Sequence, residues 1–211
     1  SYRLLSKEIN INKNIENQIK ECDIVHLHNI HGYYINYKAL FKLLKKYNKK
    51  IVWTFHDMWP LTGRCAYSFS CEKWKDTCGK CPNKNSYPKA LIDRSKEEII
   101  KKRKIFGSIN KKNMIIVTPS KWLANMCRTS YLNKYKIYDI PNGIDYKNEN
   151  INKEEIRKKL NLNNSDKVIL FVAADTNDER KGIRYILDII PKCNEYKFIS
   201  IGKKIENVEF D

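Results

Sequence analysis

The sequence has no long hydrophobic run. Among its 211 residues the longest uninterrupted apolar stretch covers residues 168–174, whereas a membrane-spanning helix needs roughly 20 apolar residues. Nothing after Ser1 has the charged and then apolar pattern of a secretory signal peptide. We therefore expect a cytoplasmic protein. The chain begins without methionine and stops directly after a strand-like run, which suggests a fragment of a longer protein.

Acidic residues are scarce as well. The sequence has 24 Asp and Glu against 41 Lys and Arg, which gives a formal net charge of +17. Five lysines between positions 42 and 50 and seven bases between positions 96 and 112 concentrate this excess. Such runs attract nucleic acid, anionic lipid or phosphorylated substrates. They are also typical of solvated helix faces, and we favour that interpretation of both runs.

Short β-branched runs alternate with helical periods along the chain. Strands are predicted at residues 23–28, 50–56, 114–117, 136–140, 167–174 and 196–202. Helices separate these runs, which indicates parallel pairing, because parallel neighbours need a crossover connection. The predicted fold class is α/β with a Rossmann-like parallel sheet. A polar stretch places a domain boundary near Tyr146, between residues 1–145 and 146–211.

Histidines gather at the ends of the first two predicted strands. His26 and His28 share one strand face, His31 lies in the following loop, and the pair His56-Asp57 closes the second strand. Ligands of open α/β sheets bind beyond the carboxyl ends of the strands, so these residues are site candidates. Structural histidines are also common there, and the spacing lacks the helical pattern of a zinc hydrolase. Asp57 would either bind an imidazole or fix the loop, and the sequence leaves both open.

A basic segment lies between the last two predicted strands. Arg180, Lys181 and Gly182 stand where a loop meets a helix. Gly182 allows close backbone approach, a guanidinium binds phosphate oxygens in pairs, and lysine adds a point charge. The segment therefore predicts a diphosphate site, although an exposed basic helix cap would look the same.

Four of the seven cysteines fall within one loop. Cys65, Cys71, Cys78 and Cys81 follow the spacing C-x5-C-x6-C-x2-C. Four thiolates ending in C-x2-C are able to enclose a tetrahedral structural zinc ion, whose binding energy would order a polar loop. Unliganded reduced thiols are the second interpretation. Disulfides are the least favoured, because the expected compartment is reducing.

Five segments, taken in order, resemble the GT-B glycosyltransferases of family 4. They read His-Asn-Ile-His-Gly at 28–32, Val-Trp-Thr-Phe-His-Asp-Met-Trp-Pro-Leu-Thr-Gly at 52–63, Val-Thr-Pro-Ser-Lys-Trp-Leu at 117–123, Ile-Pro-Asn-Gly-Ile-Asp at 140–145 and Arg-Lys-Gly at 180–182. The closest likeness is to the bacterial polysaccharide-biosynthesis branch with a cysteine loop, including colanic-acid-type transferases. It extends over residues 22–202, and the order of the segments is more specific than any one of them.

The resemblance implies a GT-B architecture of two Rossmann-like domains facing across a cleft, and sugar transfer with retention of configuration. Residues 1–145 would be the acceptor-side domain without its start. Residues 146–211 would be the linker and the first βαβ part of a truncated nucleotide-sugar domain. The family's glycine-rich loop should precede residue 1 and its Glu-x7-Glu motif should follow residue 211, so we expect the chain alone to be inactive. The sequence has no Asp-x-Asp, which agrees with catalysis that uses no metal cofactor.

The resemblance also implies residue roles. Arg180 and Lys181 would bind the donor diphosphate and neutralise the departing nucleotide. His56 would contact the donor sugar or the acceptor near the reacting centre, and Asn142 with Gly143 would form a turn near the hinge. The rest of the expected substrate-binding set is His28, His31, Gly32, Asp57 and Gly182.

The expected partners are a UDP- or GDP-sugar donor and a saccharide or lipid-linked acceptor of capsule or exopolysaccharide assembly. The positive charge suits the inner face of the membrane, and no nucleic acid is expected. Two other classes stay open. A basic zinc-containing nucleic-acid-binding protein would explain the charge and the cysteines, but the cysteine loop interrupts a βαβ progression without the spacing of a zinc finger. A GT-B sugar-nucleotide epimerase would share the donor site.

Overall fold

A computed structural model describes residues 11–31, 34–85, 87–88, 90–145, 152–175 and 178–202 of the chain. The chain divides into two compact units, Ser1–Ile144 and Asp145–Asp211. None of the helices within the described ranges is long and apolar enough to cross a membrane.

The first unit is built on a four-stranded parallel sheet. Its elements in chain order are α1 (Lys13–Glu21), β1 (Ile24–Leu27), α2 (Tyr37–Lys46), β2 (Lys50–Thr54), α3 (Ser95–Phe106), β3 (Met114–Thr118), α4 (Lys121–Arg128) and β4 (Lys136–Asp139). The strands lie in the order β1-β2-β3-β4, and every neighbouring pair is parallel. The predicted α/β class with a Rossmann-like parallel sheet is confirmed.

Polar side chains fix where three of these helices begin. The Asn12 side chain accepts a hydrogen bond from the backbone amide of Ile15 at the start of α1. Asn36 does the same for two amides of α2, and the Ser120 hydroxyl accepts from Leu123 in α4. Each cap satisfies a first-turn amide that has no partner inside the helix, which is worth about 1 kcal/mol.

A cluster of aromatic side chains packs the middle of this sheet against α2 and α3. The ring centroids of Phe41, Trp53 and Phe106 lie 4.7–5.3 Å from one another, and all three rings are almost completely buried. Burying each ring contributes roughly 1.5–3 kcal/mol. The indole Nε1 of Trp53 also donates to the His28 carbonyl oxygen at 3.1 Å, so the core reaches the end of β1.

The second unit has a two-stranded parallel sheet. Its elements are α5 (Lys153–Lys159), β5 (Lys167–Ala173), α6 (Ile183–Ile189) and β6 (Tyr196–Gly202), with short 3₁₀ helices at Glu179–Lys181 and Ile190–Lys192. Ala173, Ile183 and Phe198 are buried. The six strands observed in the two units end within two residues of their predicted limits, because their β-branched runs are bounded by clear turn signals.

Candidate active site

Two imidazole rings meet at the carboxyl edge of the first unit's sheet. His28 follows β1 and His56 follows β2, so the parallel pairing of these strands brings the two residues side by side. The His28 Nδ1 and His56 Nε2 atoms are 2.9 Å apart, and the rings stack with centroids 5.3 Å apart. One nitrogen of the pair donates a hydrogen bond and the other accepts it. Both side chains are exposed, so a ligand at this edge can reach them.

His26 extends the pair into a row of three rings, here called the histidine row (His26, His28 and His56). Its ring centroid lies 4.4 Å from that of His28, as expected for residues on one strand face. Its Nε2 lies 2.9 Å from the hydroxyl oxygen of Thr54, which is buried at the end of β2. Thr54 thus supports the His26 ring of the row. The sequence does not indicate this role for Thr54, because a threonine within a β-branched run is an ordinary strand residue.

Asp57, the residue after His56, is buried and uses both carboxylate oxygens. Its Oδ2 lies 2.7 Å from Nε2 of His31, and its Oδ1 accepts the backbone amide of Trp59 at 2.8 Å. The side chains of His31 and Asp57 are only 8% and 7% exposed. Asp57 therefore binds an imidazole and fixes the loop at once, so the two roles that the sequence left open are both realised.

Lys102 of α3 holds the segment that follows Asp57. Its Nζ donates to the carbonyl oxygens of Trp59 and Thr62 at 2.7 and 3.0 Å, and it lies 3.5 Å from the centre of a Trp59 ring. Burial lowers the pKa of Lys102 to about 7. The interpretation of residues 96–112 as a solvated helix face is wrong at this position, where the side chain is 1% exposed. Ile99, Lys102 and Phe106 are three and four residues apart, and that spacing places them on one buried face.

The remaining candidates of the first unit lie beyond its other strands or outside the described residues. Asn142 and Gly143 follow β4 in an exposed stretch, and the space around Gly143 is open. Gly32 lies outside the residues that the structure describes. The geometry thus brings together His28, His31, His56 and Asp57, and it leaves Asn142 and Gly143 at a different strand end.

The basic segment (Arg180, Lys181 and Gly182) belongs to the second unit. Arg180 and Lys181 end a 3₁₀ helix, and Gly182 has a φ of +78°, a left-handed conformation that favours glycine, immediately before α6. The guanidinium Nε of Arg180 donates to Oδ1 of Asp178 at 2.9 Å, and Nη2 contacts Oδ2. These hydrogen bonds lower the pKa of Asp178. The side chain of Lys181 is exposed.

The four cysteines of the loop between β2 and α3 line one small cavity of about 20 Å³. We call it the cysteine cavity and define it by Cys65, Cys71, Cys78 and Cys81. All four are free thiols. As the side chains are placed, no group of three or more Cys, His, Asp or Glu in the described ranges forms a ready metal site.

Comparison with known proteins decides the family. The sequence model of Glycosyltransferase Family 4 matches residues 2–148, more than half of the chain. The chain belongs to glycosyltransferase family 4. The predicted resemblance is therefore confirmed, and the match spans the unit that carries the histidine row.

The printed name of one similar protein includes a pathway. Over 133 residues the chain is 36% identical to the putative colanic acid biosynthesis glycosyl transferase WcaC of Escherichia coli (strain K12). The alignment covers 61% of this family 4 chain and 33% of the relative, so the chain spans about a third of the relative's length.

Proposed function

We propose that this family 4 chain is part of a retaining glycosyltransferase. It would move a sugar from a nucleotide-sugar donor to a saccharide or lipid-linked acceptor in cell-surface polysaccharide biosynthesis. The observation that carries this proposal is the accessible His28–His56 pair at the carboxyl edge of the sheet, inside the segment that matches the family. The E. coli relative, named for colanic acid biosynthesis, supports the polysaccharide assignment.

His56 is the residue we assign to the reacting centre. Its ring is exposed and is oriented by His28, whose carbonyl oxygen is fixed by Trp53. An imidazole so held is able to donate to or accept from a sugar hydroxyl without first losing side-chain freedom. Asp57 is not assigned as a nucleophile, because it is buried and both its oxygens already accept hydrogen bonds. We assign it as a positioning residue.

Arg180 and Lys181 are assigned to the donor diphosphate. The transferred sugar leaves behind a nucleoside diphosphate, and fixed positive charge at that point stabilises the transition state. The absence of Asp-x-Asp from the sequence supports a reaction in which these side chains supply that charge. In the described structure Asp178 pairs with Arg180, so a donor diphosphate has to compete with a carboxylate for the guanidinium.

The proposal is tested by the full open reading frame that encodes this chain. The purified enzyme should transfer sugar from a UDP- or GDP-sugar to a lipid-linked acceptor, and product NMR should show the donor's anomeric configuration. Inversion would contradict the retaining mechanism. Donor turnover that needs no acceptor would indicate the epimerase instead, and tight DNA binding that weakens steeply with salt would indicate the nucleic-acid-binding protein.

We further infer that residues 1–211 alone transfer no sugar, because the resemblance places other donor-binding motifs outside them. Measurable transfer by the isolated chain would contradict this.

A lipid-linked acceptor would bring the enzyme to an anionic membrane face, which the charge of +17 suits. We therefore propose peripheral membrane binding. Flotation should show the protein bound to vesicles containing anionic lipid and released by added salt, and equal binding to neutral vesicles would overturn the electrostatic basis.

A further inference from the structure

The cysteine cavity has the donor set and the size of a single metal site. Its four sulfurs come from one loop, and the cavity of about 20 Å³ holds little more than one water-sized sphere. No histidine or carboxylate is among the residues that line it. Thiolate donors select soft or borderline metals, and four of them without an open position are typical of structural zinc.

The backbone around the cavity is arranged to hold these sulfurs in place. The backbone amide of Gly63 donates to Cys78 Sγ at 3.3 Å, which holds this sulfur in place. Gly63 also packs against Ser95 so closely that a Cβ would lie 2.1 Å from the Ser95 carbonyl oxygen. Any other residue at position 63 would force the backbone at Gly63 or at Ser95 to shift.

The C-x2-C turn is fixed to the start of α3. Cys78, Gly79 and Lys80 all have positive φ angles, so the chain folds back tightly between the two cysteines. The Gly79 amide donates to the Ser95 hydroxyl at 3.1 Å, and the Cys81 amide donates to Asp93 Oδ2 at 2.7 Å. The turn therefore has anchors outside the loop that do not depend on the thiols.

Positive charge surrounds the cavity. A zinc ion bound by four thiolates carries net negative charge, and burying that charge requires compensation. Arg64 and Lys73 line the cavity. Part of the unusual basic excess is thus placed where a tetrathiolate centre would need it.

We propose that Cys65, Cys71, Cys78 and Cys81 bind one Zn²⁺ that serves as a structural clasp for the loop. The thiols must turn inward to converge on the ion, since no ready metal site exists among the described side chains as they are placed. Each cysteine loses its proton on binding, so four protons are released when all four enter as thiols. The proposal rests on these residues alone and is independent of the proposed glycosyl transfer.

The clasp would also stabilise the segment that follows Asp57, next to the histidine row. The Met58 amide donates to the Ala66 carbonyl oxygen at 2.9 Å, and the Thr62 hydroxyl donates to the Cys65 carbonyl oxygen at 2.6 Å. These bonds connect the first cysteine directly to the segment that follows Asp57. Loss of the metal should therefore loosen that segment as well as the loop.

The decisive measurement is metal analysis of the chain purified under reducing conditions, which should give about one zinc per chain. Replacement by Co²⁺ should produce the intense visible absorption of a tetrahedral thiolate complex. Chelator should remove the metal, lower the melting temperature and speed proteolysis within residues 63–83. Protein that folds, is reduced and binds neither metal would overturn the proposal.

Matched variants locate the ligands. Cys71→Ser and Cys81→Ser alter half-buried thiols of the cavity, and each should lower zinc content at least tenfold after dialysis. Cys22→Ser is the control, because Cys22 is equally half-buried and lies at the end of α1, where its thiol donates to the Ile19 carbonyl oxygen, a bond that serine retains. Equal zinc content in all three variants would show that the metal lies elsewhere and would refute the assignment. Circular dichroism confirms that each variant is folded.

Discussion

The histidine row and the basic segment are built in different ways. The row stands at the end of a buried sheet, with His28 anchored by Trp53 and His26 supported by Thr54. The basic segment is a short 3₁₀ turn in which Arg180 pairs with Asp178, two residues before it. The row thus depends on the core for its geometry, whereas Arg180 and Lys181 are exposed residues of a surface turn. Substitutions around the row should affect stability and activity together, and substitutions in the segment should affect activity alone.

The largest effect is expected from removing both charges of the basic segment. Arg180→Ala with Lys181→Ala should lower kcat about 10³-fold or more, because each preorganised charge on a developing anion is worth 10²–10³-fold. The melting temperature should stay unchanged, since both side chains are surface groups. Transfer kinetics of the enzyme encoded by the full open reading frame check this.

Lys192→Ala, at the end of another 3₁₀ helix of the same unit, is the control, and its kcat should be nearly unchanged. Unchanged kcat in the double variant would remove the segment from the active site.

The next effect tests the exposed member of the row. His56→Ala should lower kcat about 10²-fold, which is the usual contribution of a positioned acid or base. Stability should fall by less than about 1 kcal/mol, because the ring is exposed. Lys111→Ala, before β3 at the opposite edge of the sheet, is the control. A large drop in kcat for Lys111→Ala, or no drop for His56→Ala, would contradict a role for His56 at this edge.

The sheet and the meeting of the histidines were predictable from the sequence. Apolar runs bounded by turns define the strands, and parallel pairing brings the ends of β1 and β2 together whatever the details. His28 and His56 could therefore be expected to lie side by side. Their order along the chain gives no information on which ring nitrogens face each other, because that depends on the side-chain rotamers, which a strand pattern does not determine.

The role of Lys102 was not predicted, because net charge along a run does not report which helix face is buried. Seven bases between positions 96 and 112 look uniform, yet helical spacing places one of them beside Ile99 and Phe106. The partners of its amine are the backbone carbonyl oxygens of Trp59 and Thr62, which lie 43 and 40 residues earlier in the chain. Hydrophobic periodicity reports on neighbours within one helix or strand and does not identify such distant partners. The same limit applies to the anchors of the cysteine loop on Ser95 and Asp93.

The third effect is expected at Lys102, whose amine holds the segment that follows Asp57. Lys102→Met should lower the free energy of unfolding of the first unit by about 2 kcal/mol, because two buried carbonyl oxygens lose their donor. All four tryptophans of the sequence lie in this unit, so urea unfolding followed by their fluorescence reports on it alone.

The control is Lys101→Met, whose exposed amine pairs with Glu98 on the helix surface, and it should cost less than about 0.5 kcal/mol. Equal effects of the two substitutions would mean that the buried amine does not hold the loop.

The smallest effect is expected at Asp178, which pairs with Arg180 of the basic segment. Asp178→Asn keeps the size of the side chain but removes the charge that competes with a donor diphosphate for Arg180. Surface ion pairs are worth about 0–1 kcal/mol, so binding of UDP or GDP by the enzyme encoded by the full open reading frame should tighten by no more than about fivefold in calorimetry.

Asp188→Asn in α6 is the control, because it removes the same charge from an exposed position outside this ion pair. It separates the local effect from the change in overall charge. Tightening by both variants alike would assign the gain to the general field of the unit. Weaker binding by Asp178→Asn alone would show that the carboxylate holds Arg180 in its binding geometry, which would make the segment as preorganised as the row.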